Sequence, residues 1–217
     1  MYRCVAISVA GFLQQLAVSY VGNGYFFYVT GLIPEDKDPT AVDAKLIERY
    51  GIDCSKWANA RRQERGEAKV QYLRFGQFFA LMATAGRHPF FHNESQFADI
   101  RRKPILCFGY SVGCWHDEHG NWRPSVRLTE TEYERIRSDL LEMATHATPE
   151  ELDSRLRRLR LSLFAPVRRQ LWRIVRDANQ AREACGLEPV PFEVGPRRPV
   201  RPFGAESSVG PLVNTRP

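Results

Sequence analysis

Between Asp153 and Asp177 the chain carries eight arginines and no acidic residue. Like charges at that density cannot be buried together. The stretch can join a folded core only if its apolar side chains gather on one side and its guanidinium groups on the other. Residues 166–185 meet this condition. At about 100° per residue, Val167, Leu171, Ile174, Val175, Ala178, Ala181 and Cys185 fall within about 120° of one another. Arg169, Arg173, Arg176 and Gln180 fall within about 60° on the opposite side, with Trp172 beside them. The spacing predicts one long helix from Pro166 to Cys185, closed by Gly186, docked by its apolar stripe.

This run sets the charge of the whole protein. Residues 1–153 hold 18 Lys+Arg against 20 Asp+Glu, whereas the other 64 residues hold 13 against 5, for a net charge of +6. Arginine outnumbers lysine 26 to 5, a bias that the base composition of a gene produces whatever the function. It does not clear acids from residues 154–176. Such clustering points to an anionic partner, most often nucleic acid, because the planar guanidinium fork matches phosphate oxygens.

The expected contacts are Arg155, Arg158, Arg168, Arg169, Arg173 and Arg176, with Arg61, Arg62, Arg65, Arg101 and Arg102 as further basic clusters. Arg197, Arg198 and Arg201 form a basic arm in the tail. Nothing in the pattern reads bases, so binding should be largely independent of sequence, to DNA or RNA. Trp57 and Trp172 offer faces for unpaired bases. Docking of the same helix on an acidic protein partner is a competing expectation.

The fold class read from the sequence is α+β: a largely antiparallel sheet with inserted helices (1–128), a C-terminal helical region (129–186) and a flexible tail rich in Pro and Arg (187–217). Residues 3–9 and 13–21 read as strands, with Gly22-Asn23-Gly24 as a hairpin turn into Tyr25–Thr30. Asp38 and Pro39 read as cap and first residue of a helix ending at Gly51, with Val42, Leu46, Ile47 and Tyr50 inward. A shorter helix capped by Ser55 carries Lys56, Arg61, Arg62 and Arg65. Residues 69–75 and 77–84 read as strands meeting at Gly76, residues 86–104 as a loop, and Pro104–Trp115 as a single strand. Asp117–Asn121 turns the chain into a strand over 122–128. Thr129 caps a helix reaching Ala144, and Pro149 opens another that ends near Leu161.

One loop carries chemistry. His88-Pro-Phe-Phe-His92-Asn-Glu94, followed by Asp99, brings two imidazoles and two carboxylates together in sequence. Such a set would hold a divalent metal for phosphodiester hydrolysis or supply a general base, with Tyr133 as a nucleophile. That alternative is a metal-dependent nuclease or nicking enzyme of replication or mobile elements. The His-x-His pair of single-strand nicking enzymes is absent. Otherwise no cofactor is expected. Cys107, Cys114, His116 and His119 do not make a zinc site: seven residues apart on one strand, the two thiols would face opposite ways. Neither a Gly-x-x-x-x-Gly-Lys loop nor a Gly-x-Ser-x-Gly elbow occurs, which disfavours ATP-dependent and serine-hydrolase chemistry.

The five cysteines are scattered without a Cys-x-x-Cys pair, as expected of free thiols in a reducing compartment. No apolar run approaches the ~20 residues of a membrane span. The expectation is a cytoplasmic protein without a membrane partner.

Overall fold

The computed structural model of the chain describes residues 2–54, 56–191 and 199–204. Strands β1 (Phe27–Leu32), β2 (Val70–Phe75), β3 (Phe78–Ala83) and β4 (Ala98–Asp99) form a sheet in the order β2-β3-β1-β4. Strands β5 (Ile105–Cys107), β6 (Tyr110–His116) and β7 (Trp122–Leu128) form a second sheet, and all these pairings are antiparallel. The helices are α1 (Val9–Gln14), α2 (Pro39–Arg49), α3 (Lys56–Glu64), α4 (Phe90–Asn93), α5 (Glu130–Ala144), α6 (Pro149–Arg158) and α7 (Ala165–Ala184). The class is α+β, as the sequence predicts. No helix among the described residues is long and apolar enough to cross a membrane.

Strand alternation explains how the first sheet is covered on both faces. Tyr28, Leu73, Ala80 and Met82 enter one core with α1, the second sheet and α5–α7. Val70, Tyr72, Leu81 and Ala83 enter another with Tyr50 and Phe90. Successive residues of each strand thus serve opposite cores. β1 lies inside the sheet, as its aromatic content suggests.

The N-terminal reading requires correction. Val9–Gln14 is an α-helix capped by Ser8, Gln15–Tyr20 continues as a π-helix, and Val21–Asn23 is a 3-10 turn. The buried pairs Phe12/Leu13, Leu16/Ala17 and Tyr20/Val21 recur every four residues. That period is slightly too long for an α-helix, and the wider i→i+5 turn keeps the pairs on one side. Gly24 spends its positive φ of 86° on ending this helix rather than on a hairpin. Of the proposed first strand, only a parallel bridge between Val5 and Arg74 exists.

Pro104–Trp115 is likewise two strands. Phe108 (φ 52°) and Gly109 (φ 79°) make a tight turn between β5 and β6. A phenylalanine with positive φ is strained, so the turn has no plain sequence mark. Its ring meets Phe12, Phe75 and Phe78 edge-on at centroid distances of 5.5, 5.4 and 5.3 Å, contacts that offset the strain. The 86–104 loop also contains the short α4 and β4.

Local capping follows the sequence closely. Asp38 accepts from Thr40 and Ala41 N–H, Thr129 from Glu132 N–H, and Thr148 closes a capping box with Glu151. The Ser55 cap lies outside the described residues, as do Arg197 and Arg198. In the segment expected to be a flexible tail, Val190 is buried and clamped by the Asn179 amide. Pro202 accepts from Ile7 N–H, and Phe203 packs against the core.

Two charged residues outside the predicted apolar stripes are buried. The inward stripe of α2 includes Asp43, whose carboxylate accepts from Tyr72 Oη (2.7 Å), Arg74 Nε (2.8 Å) and Arg74 Nη2 (2.7 Å). On α7, Arg182 replaces the exposed Cys185 as the buried end of the stripe. Its guanidinium donates to the Ala144 and Ala147 carbonyls and to Glu188 O, satisfying groups left open where α5 ends. Asp43→Ala should lower the unfolding free energy by about 3–5 kcal/mol, because it leaves the Arg74 charge buried alone. Urea unfolding measures this; a shift below about 1 kcal/mol would contradict the pair's structural role.

Candidate nucleic-acid interface

β7 is an edge strand, and its last residue turns its backbone away from β6. Gln170 of α7 takes up both groups: Oε1 accepts from Leu128 N–H at 2.8 Å, and Nε2 donates to the Leu128 carbonyl at 3.3 Å. The side chain thereby continues the sheet edge and fixes the rotation of α7 against it. Val167, Leu171, Ile174, Val175 and Ala178 are buried. Arg169, Arg173, Arg176 and Trp172 are exposed.

β7 adds a further arginine. Trp122, Pro124, Val126 and Leu128 face the core side, so Arg123, Ser125 and Arg127 face out. Arg127, Arg169 and Arg173 line one open cleft of about 720 Å³ between the outer face of the second sheet, α7 and the start of α5. Leu106 and Tyr133 form an apolar part of its wall, and Glu130 contributes a carboxylate. The three arginines make no ion pair or side-chain hydrogen bond among the described residues. Asp177, the first acid after the arginine run, is held by Arg137 of α5 at 3.2 Å and by Arg176 at 3.2 Å.

The other arginines singled out in the sequence fall into two groups. Arg155 is paired with Asp139 (2.8 Å), Arg65 with Glu67 (3.0 Å) and Arg101 with Asp99 (2.7 Å). Arg101 also lies 4.8 Å from the centroid of the Phe26 ring. Arg62 donates to Gly51 O. Arg61, Arg102, Arg158 and Arg168 have no such partner among the described residues, and none of them lines the arginine cleft.

The histidine loop is occupied by its own structure. His88 Nδ1 accepts from Phe90 N–H at 3.1 Å, Glu94 accepts a short hydrogen bond from the Tyr50 hydroxyl, and Asp99 is chelated by Arg101. Only His92 points freely outward. Phe90 and Phe91 belong to the core behind β1, whereas Tyr133 packs against the other core. No group of three His, Cys, Asp or Glu side chains among the described residues is placed to hold a metal.

Cys107 and Cys114 do not share the single strand expected of them. They lie on different strands, β5 and β6, and point to the same side of the hairpin. Burial pushes the Cys107 thiol up to about 12, and the His116 ring stacks on Trp122 with centroids 3.7 Å apart.

Sequence reasoning missed Arg127, Leu106 and Glu130. Strict alternation over residues 122–128 was the sign that would have placed Arg127 on an open sheet face. No protein-family model, curated protein or solved structure matches the chain.

Burial, helped by nearby Arg62, holds His88 below its ordinary value of 6.5. The unfolded chain takes up this proton before the folded one, so the His88 contribution is complete above about pH 6.5 and is lost as pH falls below it. Hydrogen bonds from Arg101 hold Asp99 below its ordinary 3.8, so its contribution is lost only at lower pH. Thermal unfolding followed from about pH 8 to about pH 5 should show a fall that is shallower in His88→Asn. Identical slopes would contradict the assignment.

Proposed function

We propose that this protein binds nucleic acid, largely without regard to sequence, by seating backbone phosphates on Arg127, Arg169 and Arg173. The observation that carries this reading is the convergence of three unpaired guanidinium groups from two elements on one cleft. A solvated helix face would give α7 its own arginines but no reason for a sheet arginine to meet them. Arg176 is already partly neutralised by Asp177, so it adds less than its exposure suggests. The metal-dependent nuclease reading has weaker support, because His88, Glu94 and Asp99 are engaged in holding their loop.

Arg169→Glu combined with Arg173→Glu should weaken polynucleotide binding at least about tenfold without loss of fold, since both side chains point away from the core. Glu130→Gln, which removes the carboxylate from the cleft, should strengthen binding by about twofold to fivefold at low salt. Fluorescence anisotropy with a labelled oligonucleotide measures both. Unchanged affinity in the double variant would remove the hypothesis.

A further inference from the structure

We infer that the preferred ligand is single-stranded, with a nucleotide base seated in the arginine cleft itself; this inference rests on the phosphate-binding reading above. The cleft is two-sided in chemistry. Arg127, Arg169 and Arg173 supply charge, while Leu106 and Tyr133 supply an apolar and aromatic surface. Leu106 is 66% exposed, although burying that side chain would be favourable. The Tyr133 ring packs from behind against the core, and its hydroxyl has no partner among the described residues.

Size argues the same way. A volume of about 720 Å³ lies within the range of about 300–1,000 Å³ typical of small-molecule sites, so it holds about one or two nucleotides. A duplex turns its phosphates outward and keeps its base faces stacked inside. It would engage the arginines and leave Tyr133 and Leu106 uncovered. An unpaired strand supplies both phosphate and base face, and stacking on an aromatic ring tolerates any base. Trp172, 55% exposed, stands three residues from Arg169 and four from Arg168 on α7. It does not line the cleft, but one helical turn from Arg169 it offers a second stacking surface for the neighbouring nucleotide.

The full chain is titrated with labelled oligothymidylate, with a duplex of the same length, and with inorganic polyphosphate of comparable charge, all at one salt concentration. Oligothymidylate should bind about tenfold tighter than either comparator. Tyr133→Ala and Trp172→Ala should each weaken oligothymidylate binding about fivefold or more, while Tyr133→Phe, which keeps the ring, should bind like the wild type. Circular dichroism checks that Tyr133→Ala is folded, and the exposed Trp172→Ala serves if it is not. Equal or tighter binding of the duplex or of polyphosphate would overturn the inference while leaving phosphate binding intact. Failure of all three probes to bind would instead remove the phosphate-binding reading beneath it. Loss of binding in Tyr133→Phe would assign the hydroxyl rather than the ring, and would also overturn the stacking account.

Discussion

A single glutamine joins the charged helix α7 to the open edge of the second sheet. An unpaired strand edge costs free energy when buried and invites aggregation when exposed. At the end of β7 both backbone groups of Leu128 are satisfied by the Gln170 amide. Together with the buried stripe from Val167 to Ala178, that contact sets Arg169 and Arg173 beside Arg127. The cleft follows from a sheet edge and an amphipathic helix each completing the other. Its charge is left available because Asp177 is drawn towards Arg137 of α5.

The same economy runs through the rest of the fold. The carboxylate of Asp43 fixes α2 to β2 by accepting from Tyr72 and Arg74. Arg182 closes the end of α5 with backbone carbonyls as its partners. Each of these buried side chains ties two separate elements together. The histidine loop fits that pattern, with Phe90 and Phe91 anchoring it and Glu94 held by Tyr50.

What the sequence revealed was local. Asp38 before Pro39, Gly76 between two β-rich runs and Thr129 ahead of an apolar helix each carry their own stereochemical reason, and each sits where that reason puts it. The angular placement on α7 was legible for Arg169, Arg173 and Trp172. What was hidden depended on distant partners. Asp43 and Arg182 had no place in the predicted apolar stripes because only the folded chain brings Arg74 and the end of α5 to them. Phe108 concealed a turn because three aromatic rings from elsewhere hold its strained backbone. Residues 9–23 were misread because a four-residue repeat suits neither a strand nor a plain α-helix. Arg127 sat in a readable alternation, but its meaning came from α7 lying alongside.

Counterion release gives the most direct test of the central claim, because it counts phosphate contacts rather than overall affinity. For a single strand, each neutralised phosphate contributes about −0.7 to the slope of log K against log salt. Three cleft arginines therefore predict a slope of about −2 for the intact protein, reduced by about 0.7 when Arg127 alone is replaced by Gln. A slope near zero, or one that Arg127→Gln leaves unchanged, would contradict a phosphate site built jointly by β7 and α7.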